Sequence, residues 1–240
     1  MTARIALRQF SVTYPSFTLA PLSLEIHAGE RVALVGPNGS GKTTTLRALA
    51  GRLRAYDGFI LLNGQDLRGL LPSARRDIGL LPETLAGYGW MTVREHLAFL
   101  AEFYPRWDAA YAAHLADRLG VPLDQALGRL SKGTRVKASF ISAEAYRPPL
   151  LLLDEPTSGL DPAVRGELLS AILSSVDSQS ERIVLFSTHL LEDVEFVANR
   201  VLLLANGTLG LDATVSRLRD AHGGESLAKI LYAALSRSTC

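Results

Sequence analysis

One short segment constrains the fold of this chain more than any other. Residues 36 to 43 read Gly-Pro-Asn-Gly-Ser-Gly-Lys-Thr and match the phosphate-binding pattern Gly-x4-Gly-Lys-[Ser/Thr]. The apolar run Arg31–Val35 precedes the segment, and a stretch of helical character, Thr44–Ala50, follows it. A strand, a glycine-rich loop and a helix in this order surround an anion with backbone N–H groups and the positive end of the helix. The sequence therefore predicts an α/β protein that binds a nucleoside triphosphate.

Within this loop, each residue type has a predicted task. The glycines let consecutive N–H groups curl round the phosphates, the Lys42 ammonium reaches the outer phosphates, and the Thr43 hydroxyl ligates Mg2+. The expected cofactors are therefore ATP and Mg2+. The predicted nucleotide-binding residues of the loop are Gly36, Asn38, Gly39, Ser40, Gly41, Lys42, Thr43 and Thr44.

Composition excludes several other classes of protein. The chain has 240 residues and 48% apolar content, which is ample for one buried core, and a net charge of +1 with scattered Lys and Arg. Such a charge distribution predicts no basic surface that would bind nucleic acid, and we expect no nucleic-acid partner. The apolar runs are shorter than the ~18 residues that a membrane span needs. We therefore expect a soluble, cytoplasmic protein, and its single cysteine, Cys240, excludes an internal disulfide.

The chain alternates between strand-like and helix-like segments. Apolar runs bounded by turn residues predict strands at Ile5–Leu7, Leu22–Ile26, Arg31–Val35, Phe59–Leu62, Leu150–Leu153, Arg182–Phe186 and Val201–Ala205. Amphipathic spacing predicts helices within 85–146, at Pro162–Val176, at Glu192–Ala198 and over about 216–239. Strands that alternate with helices in this way favour a largely parallel sheet covered by helices.

A second candidate motif is a pair of carboxylates at the end of an apolar strand. Asp154 and Glu155 directly follow Leu150–Leu153, at the edge where open parallel sheets place their ligand sites. Asp154 is predicted to hold Mg2+ opposite Thr43, and Glu155 to orient or deprotonate the attacking water. The alternative is an Asp-Glu pair that only caps a turn.

Two further side chains are candidates for the same site. His189 follows a predicted strand, so we expect it at the same sheet edge, where its imidazole would contact the γ-phosphate. Tyr14 lies ahead of the phosphate loop and would either stack on the nucleotide base or pack in a sheet. Phe17 is a rival candidate for the stacking role.

The segment Leu130–Arg135 completes a series of motifs that resembles the ATP-binding cassette (ABC) family. The landmarks, in chain order, are Tyr14, Gly36–Thr43, Glu83, Leu130–Thr134, Asp154 and Glu155 with Ser158–Asp161, and His189. The resemblance is to the nucleotide-binding subunit of an ABC transporter. It implies a P-loop NTPase (RecA-like) α/β core with a mostly parallel sheet, an antiparallel N-terminal β subdomain and a helical insert. The implied single domain covers 1–240, with core and β subdomain at 1–84 and 147–212, a helical subdomain at 85–146 and a C-terminal helical extension at 213–240.

The resemblance also implies partners. Two cassettes, identical or related, would bind head-to-tail, with Ser131 and Gly133 of one copy meeting the γ-phosphate held by the other. Asp161 would relay between the two sites, besides capping a helix ahead of Pro162. Hydrolysis would drive an integral membrane transport subunit at the cytoplasmic face of the cell membrane. Its predicted docking surface is Thr84–Met91 with Leu85, Tyr88 and Trp90, unless this is an ordinary loop with buried aromatics.

Two departures from the family pattern bear on function. Glu83 stands where Gln is usual, so it would ligate Mg2+ but would also bring a charge close to Asp154 and Glu155. Lys132 replaces a glycine and Thr134 replaces a glutamine, a pattern similar to a branch of export-type cassettes with separate membrane subunits. The sequence leaves two alternatives open: a soluble cassette ATPase that acts on nucleic acid or the ribosome, and a sensor that binds ATP without turnover.

Overall fold

The computed structural model describes residues 4–69, 74–82, 87–176, 181–223 and 225–238. Its strands are β1 (Arg4–Tyr14), β2 (Phe17–His27), β3 (Arg31–Val35), β4 (Asp57–Leu62), β5 (Gln65–Asp66), β6 (Ile78–Leu81), β7 (Leu150–Leu153), β8 (Ile183–Thr188), β9 (Arg200–Ala205) and β10 (Thr208–Thr214). Its α-helices are α1 (Lys42–Leu49), α2 (Val93–Ala101), α3 (Ala109–Arg118), α4 (Lys132–Glu144), α5 (Pro162–Ser174), α6 (Leu191–Val197), α7 (Val215–Ala221) and α8 (Leu227–Ser238). Short 3-10 helices lie at Leu67–Gly69, Ala74–Asp77 and Leu127–Arg129.

The larger sheet carries the phosphate loop. Over the described ranges it has six strands in the order β10-β9-β3-β8-β7-β6, parallel except for the β9–β10 pair. All four residues of β7 are buried, because a parallel strand in the middle of a sheet is covered on both faces. The mostly parallel core expected from the alternation of strands and helices is confirmed.

The smaller sheet is antiparallel and lies at the N-terminal end of the chain. Its described strands follow the order β2-β1-β4-β5, with β1 and β2 joined by a tight turn in which Tyr14 pairs with Phe17. The predicted antiparallel N-terminal sheet is therefore confirmed. Its apolar face packs on one face of the larger sheet, to which Leu150 and Leu152 point, while Leu151 and Leu153 point to the helices on the other face.

Several boundaries differ from those expected. Strand β8 continues to Thr188, so Ser187 and Thr188 belong to the strand instead of following it. The edge strand β10 was not predicted, because its sequence contains polar residues that are typical of a loop. It ends at Thr214, so the expected C-terminal extension starts later than residue 213. Helix α4 begins at Lys132, because the Ser131 hydroxyl accepts a hydrogen bond from the Thr134 N–H (3.1 Å) and caps the helix there.

The segment between β6 and β7 is helical, with α2, α3 and α4 packed around one apolar cluster. A capping box starts α2: the Thr92 hydroxyl accepts from the Glu95 N–H, and the Glu95 carboxylate accepts from the Thr92 N–H. In the described ranges, none of the helices combines the length and the apolar character needed to cross a bilayer.

Candidate nucleotide site

The phosphate loop joins the end of β3 to the start of α1, and two glycines fix its path. At Gly36, a side-chain carbon would overlap with the carbonyl oxygen of Leu204, so only glycine allows β3 and β9 to approach this closely. Gly41 is the N-cap of α1 and has a φ of 107°, a backbone conformation that side chains other than glycine rarely adopt. The loop therefore delivers the first N–H groups of α1 to one side of an open cavity.

This cavity has a volume of about 490 Å³. Its lining comes from Ser16 and Phe17 in the β1–β2 hairpin, from Asn38, Gly39 and Gly41 in the loop, from Lys42, Thr43 and Thr44 in α1, and from Glu155. Phe17 lies over the loop. If residue 41 carried a side-chain carbon in place of the glycine hydrogen, that carbon would lie 3.1 Å from the ring carbon Cζ of Phe17. Tyr14 is 40% exposed and is absent from the lining, so of the two stacking candidates Phe17 is the one that lines the cavity.

Lys42 lies at the floor of the cavity with its ammonium turned into the loop. Its Nζ donates to the carbonyl oxygens of Gly36 (2.8 Å) and Pro37 (3.2 Å) and lies 3.3 Å from Oε1 of Glu155. The residue is 5% exposed, and a buried ammonium is stable only with such partners. The cation is therefore held at the point where the loop, α1 and the carboxylate pair meet.

Asp154 connects α1 to the end of β8. Its Oδ1 accepts hydrogen bonds from the Thr43 hydroxyl (3.0 Å) and from the Ser187 hydroxyl (2.8 Å), and the side chain is buried. Ser187 in turn accepts a hydrogen bond from the Glu155 N–H (2.8 Å). Strands β3, β8 and β7 are neighbours, so the carboxyl ends of three parallel strands bring these residues together.

Glu155 bridges Lys42 and His189. Its Oε1 faces the ammonium, and its Oε2 lies 2.9 Å from Nδ1 of His189. The backbone of Glu155 has a φ of 48°, a left-handed conformation that is strained for a residue with a side chain. His189 has a side chain that is 43% exposed, so its ring remains accessible at the sheet edge where it was expected.

The hydroxyl of Ser40 supports the fit of a triphosphate in this site. It is buried with no hydrogen-bond partner, a rare state in native proteins that donation to a phosphate oxygen would relieve. The described residues contain no cluster of three or more His, Cys, Asp or Glu that could hold a metal by itself. Mg2+ in nucleotide sites uses one or two protein ligands plus phosphate oxygens, which matches the hydroxyl of Thr43 and the carboxylate of Asp154.

The signature segment does not line this cavity on the same chain. Ser131 caps α4, and Gly133 packs against Val164 near the start of α5, where a side-chain carbon would lie 3.0 Å from a valine methyl. The ammonium of Lys132 approaches Gly159 in the loop before α5. Asp161 caps α5 by accepting from the Val164 N–H (3.1 Å), as expected from Pro162. None of these residues belongs to the cavity lining in the described part of the chain.

Two expectations concern the segment between β6 and α2. Glu83, the candidate Mg2+ ligand, and Thr84 and Leu85 of the candidate docking surface lie outside the described residues. Tyr88 and Trp90 are described, and they are 57% and 71% exposed with their ring centroids 5.7 Å apart. They form an aromatic pair on the surface, so the reading of this loop as one with buried aromatics is wrong for these two residues.

Sequence reasoning missed three polar residues that support the site. Ser187 joins Asp154 to Glu155, and the buried side chains of Thr157 and Asp193 are hydrogen-bonded to each other behind the carboxylate loop. The sequence offers one indication that Ser187 belongs to the site, which is its hydroxyl group near the end of a strand of the larger sheet. Nothing local marks Asp193, because two of its partners, Thr157 and Arg165, lie about 30 residues away in the chain.

Comparison with known proteins was made with both sequence and structure. A family model described as ABC transporter matches residues 19–158. The chain is 34% identical over 206 residues to the ABC transporter ATP-binding protein YtrB of Bacillus subtilis (strain 168), covering 85% of this chain and 70% of that one. It is 33% identical over 210 residues to the thiamine import ATP-binding protein ThiQ of Yersinia pseudotuberculosis, covering 85% and 87%.

Solved structures give the same picture at the level of the fold. A structure described as the ATP-binding subunit of an ABC transporter superposes with a TM-score of 0.82 at 30% identity, covering 96% of this chain and 98% of that one. A bacterial Atm1-family ABC exporter with ATP bound superposes with a TM-score of 0.79 at 24% identity, covering 97% of this chain and 42% of that one. The second likeness concerns the fold alone.

Proposed function

Because the chain belongs to the ABC transporter family, as an ATP-binding subunit that is an ATPase, we propose that it works as a head-to-tail dimer and drives a separate membrane subunit that exports its cargo. The dimer would form on ATP and loosen after hydrolysis. Only a ligand that binds the closed state more tightly than the open state shifts the equilibrium between them, and ATP held between two chains meets that condition.

The position of the signature segment carries the proposal of a shared site. Neither Ser131 nor Gly133 lines the cavity of its own chain, whose lining comes from the hairpin, the phosphate loop, α1 and Glu155. Gly133 packs instead against Val164 of α5. A contact between Ser131 and a phosphate therefore requires a second copy. The start of α4, where N–H groups and the helix dipole favour an anion, would then meet the γ-phosphate from outside.

The chemical roles follow the contacts of the site. Glu155 would orient or deprotonate the attacking water, and His189, hydrogen-bonded to it, would hold that carboxylate and contact the γ-phosphate. Mg2+, when bound with ATP by Thr43 and Asp154, would neutralise charge on the phosphates. Lys42 would exchange the carbonyl oxygens of Gly36 and Pro37 for phosphate oxygens.

Lys42→Ala is expected to weaken ATP binding by about 10- to 100-fold, because a charge-assisted hydrogen bond contributes about 1.5–3 kcal/mol. Titration with a fluorescent ATP analogue measures the affinity directly. Arg47→Ala is the matched control, since Arg47 is a cation of the same helix with an exposed side chain. Equal affinity of the Lys42 variant and the parent protein would contradict the role of this ammonium.

Mixing two inactive variants tests whether the sites are shared between chains. Lys42→Ala damages the phosphate loop, and Ser131→Ala damages the signature. In a head-to-tail pair of one copy of each, the loop of the Ser131 variant faces the intact signature of the Lys42 variant, which restores one complete site. We expect the mixture to release phosphate faster than either variant alone, as measured by a coupled phosphate assay.

The matched control for this experiment is a mixture of each variant with a copy that carries both substitutions. Such a mixture forms no complete site, so its rate should stay at that of the single variants. An absence of recovery in the first mixture, with both variants folded, would contradict a shared site between identical chains. A heterodimer with a related cassette would then be tested with that second chain.

We propose that the membrane subunit docks in a groove between the larger sheet and the helical segment. The groove has a volume of about 330 Å³, and residues such as Arg52, Ile78, His96 and Tyr104 line it. A side-chain carbon at residue 87, where the chain has glycine, would lie 3.4 Å from the ring of His96. Gly87 directly precedes the loop that carries Tyr88 and Trp90. The groove and the exposed aromatic pair would therefore form one continuous surface, suited to a short amphipathic helix.

The direction of transport and the location at the cytoplasmic face of the membrane are proposals as well. Export is supported by Lys132 and Thr134 in the signature segment, whereas one relative, ThiQ, is named as an import protein. Purification from membranes with the bound subunit, followed by its identification, tests the partner. In proteoliposomes with the cassettes outside, ATP should drive cargo of an exporter into the lumen, and movement outward would contradict export.

A further inference from the structure

A buried carboxylate outside the cavity connects the loops that carry Glu155 and His189. Asp193 lies in α6 and is 1% exposed. Its Oδ2 accepts a hydrogen bond from the Thr157 hydroxyl and a longer one, at 3.4 Å, from the Thr188 hydroxyl. Its Oδ1 accepts from Nε of Arg165 at 2.6 Å. Both oxygens of the carboxylate are therefore used.

The three donors come from three separate elements around the site. Thr157 follows Glu155 by two residues, and Thr188 directly precedes His189. Arg165 is in the first turns of α5, the helix that Asp161 caps. The Thr188 hydroxyl also accepts a hydrogen bond from the Leu190 N–H (2.9 Å). That hydroxyl thus closes the turn that presents His189, and its single hydrogen lies within reach of Oδ2 of Asp193 (3.4 Å) and of the Leu190 carbonyl oxygen (3.5 Å).

One cation and two hydroxyl groups surround this buried carboxylate. Buried carboxylates are costly unless a cation and hydrogen-bond donors compensate them, and here the Arg165 guanidinium supplies the cation and the two threonines supply the donors. Arg165 also donates to Glu192 at 3.3 Å, with its own side chain 25% exposed. A neutral or apolar residue at position 193 would not hold all three donors in one place.

We propose that Asp193 is a positioning residue for ATP hydrolysis, which sets the distance and orientation between Glu155 and His189 by holding the loops that carry them. The proposal rests on the roles proposed above for these two residues. Their side chains lie 2.9 Å apart, and a displacement of about 1 Å in a catalytic geometry can reduce a rate by as much as about 100-fold. Asp193 itself touches neither the cavity nor a reacting atom.

Asp193→Asn tests the proposal with a residue of nearly the same shape. We expect kcat to fall by about 10- to 100-fold, while the affinity for ATP changes by less than about twofold, because Asp193 is not part of the cavity lining. Steady-state phosphate release and titration with a fluorescent ATP analogue measure the two quantities. The matched control is Glu195→Gln on the same helix, a carboxylate that pairs at 3.4 Å with Arg219 on the surface.

A second background separates positioning from a general loss of folded protein. In the His189→Ala variant the pair that Asp193 positions no longer exists, so adding Asp193→Asn should reduce kcat by less than about a further twofold. A purely structural effect would multiply in both backgrounds. A parental kcat in Asp193→Asn, or the full additional loss in the His189→Ala background, would overturn the proposal.

Thr157→Val decides the matter if Asp193→Asn does not fold. This change removes one donor from the loop of Glu155 and leaves the ion pair with Arg165 in place. We expect a reduced kcat at unchanged ATP affinity, and a parental kcat in the folded variant would overturn the proposal. Failure of the proposed roles has a different signature: Glu155→Gln and His189→Ala would then turn over ATP at the parental rate.

Discussion

Glu155→Gln is expected to reduce the rate of ATP hydrolysis by about 10²- to 10⁴-fold, the usual contribution of a general base. Glutamine has the same length as glutamate, so the side chain keeps an oxygen near His189, but it cannot accept the proton of the attacking water. The substitution also removes the negative charge 3.3 Å from the Lys42 ammonium. ATP binding should therefore persist, because the substitution removes a carboxylate that would repel the negatively charged phosphates.

Two measurements on the same variant check this result. Phosphate release reports turnover, and size-exclusion chromatography with light scattering in the presence of ATP reports the dimer, which should accumulate because the bound nucleotide is not consumed. Glu195→Gln, an exposed carboxylate on α6, should behave as the parent protein does. Parental turnover in Glu155→Gln would remove Glu155 from the role of base. Loss of turnover without any ATP-dependent dimer would contradict the proposed closing of two chains on ATP.

The phosphate loop could be predicted from sequence because all its determinants are local. The glycines, Lys42 and Thr43 lie between one strand and one helix, and their spacing alone fixes which N–H groups point at an anion. Asp154 and Glu155 were placed by a similarly local rule, the end of a continuous apolar strand. That rule gives the edge of the sheet on which the residues lie.

The supporting contacts could not be predicted because they depend on the order of strands. Ser187 reaches Asp154 only because β8 lies between β3 and β7, an arrangement that no local pattern specifies. The same holds for Asp193, whose partner Thr157 is separated from it by a helix and a strand. Pairing across parallel strands is non-local, so the sequence predicts that residues share an edge and leaves open which ones touch.

The fold shows the same division between local and non-local information. Continuous apolar runs predicted β3, β7, β8 and β9 because buried parallel strands are apolar on both faces. Strand β10 alternates exposed and partly buried positions at the edge of the sheet, where its short polar sequence resembles a loop. Strand β10 forms because it pairs antiparallel with β9, to which a tight turn at Asn206 and Gly207 connects it.

A buried carboxylate at the end of the helical segment forms an ion pair with Arg182. Glu144, at the end of α4, is fully buried and accepts two hydrogen bonds at 2.7 Å from the Arg182 guanidinium and one at 3.1 Å from the Tyr111 hydroxyl. Arg182 also donates to the carbonyl oxygens of Pro148 and Ser175. Burial and the neighbouring carboxylate raise the pKa of Tyr111 to about 12, so its hydroxyl stays a donor at neutral pH.

Glu144→Gln is expected to lower the free energy of unfolding by about 3–5 kcal/mol, because it leaves the guanidinium of Arg182, whose side chain is 15% exposed, beside a neutral amide. Asp124→Asn is the matched control: Asp124 also accepts two hydrogen bonds from one guanidinium, that of Arg94, but both side chains are exposed. An exposed pair contributes less than about 1 kcal/mol, so the control should unfold nearly as the parent does. Urea unfolding followed by circular dichroism compares the variants at one pH. Similar losses in both variants would show that burial does not determine the contribution of these pairs, and the ion pair would then not be what holds α4 to the start of β8.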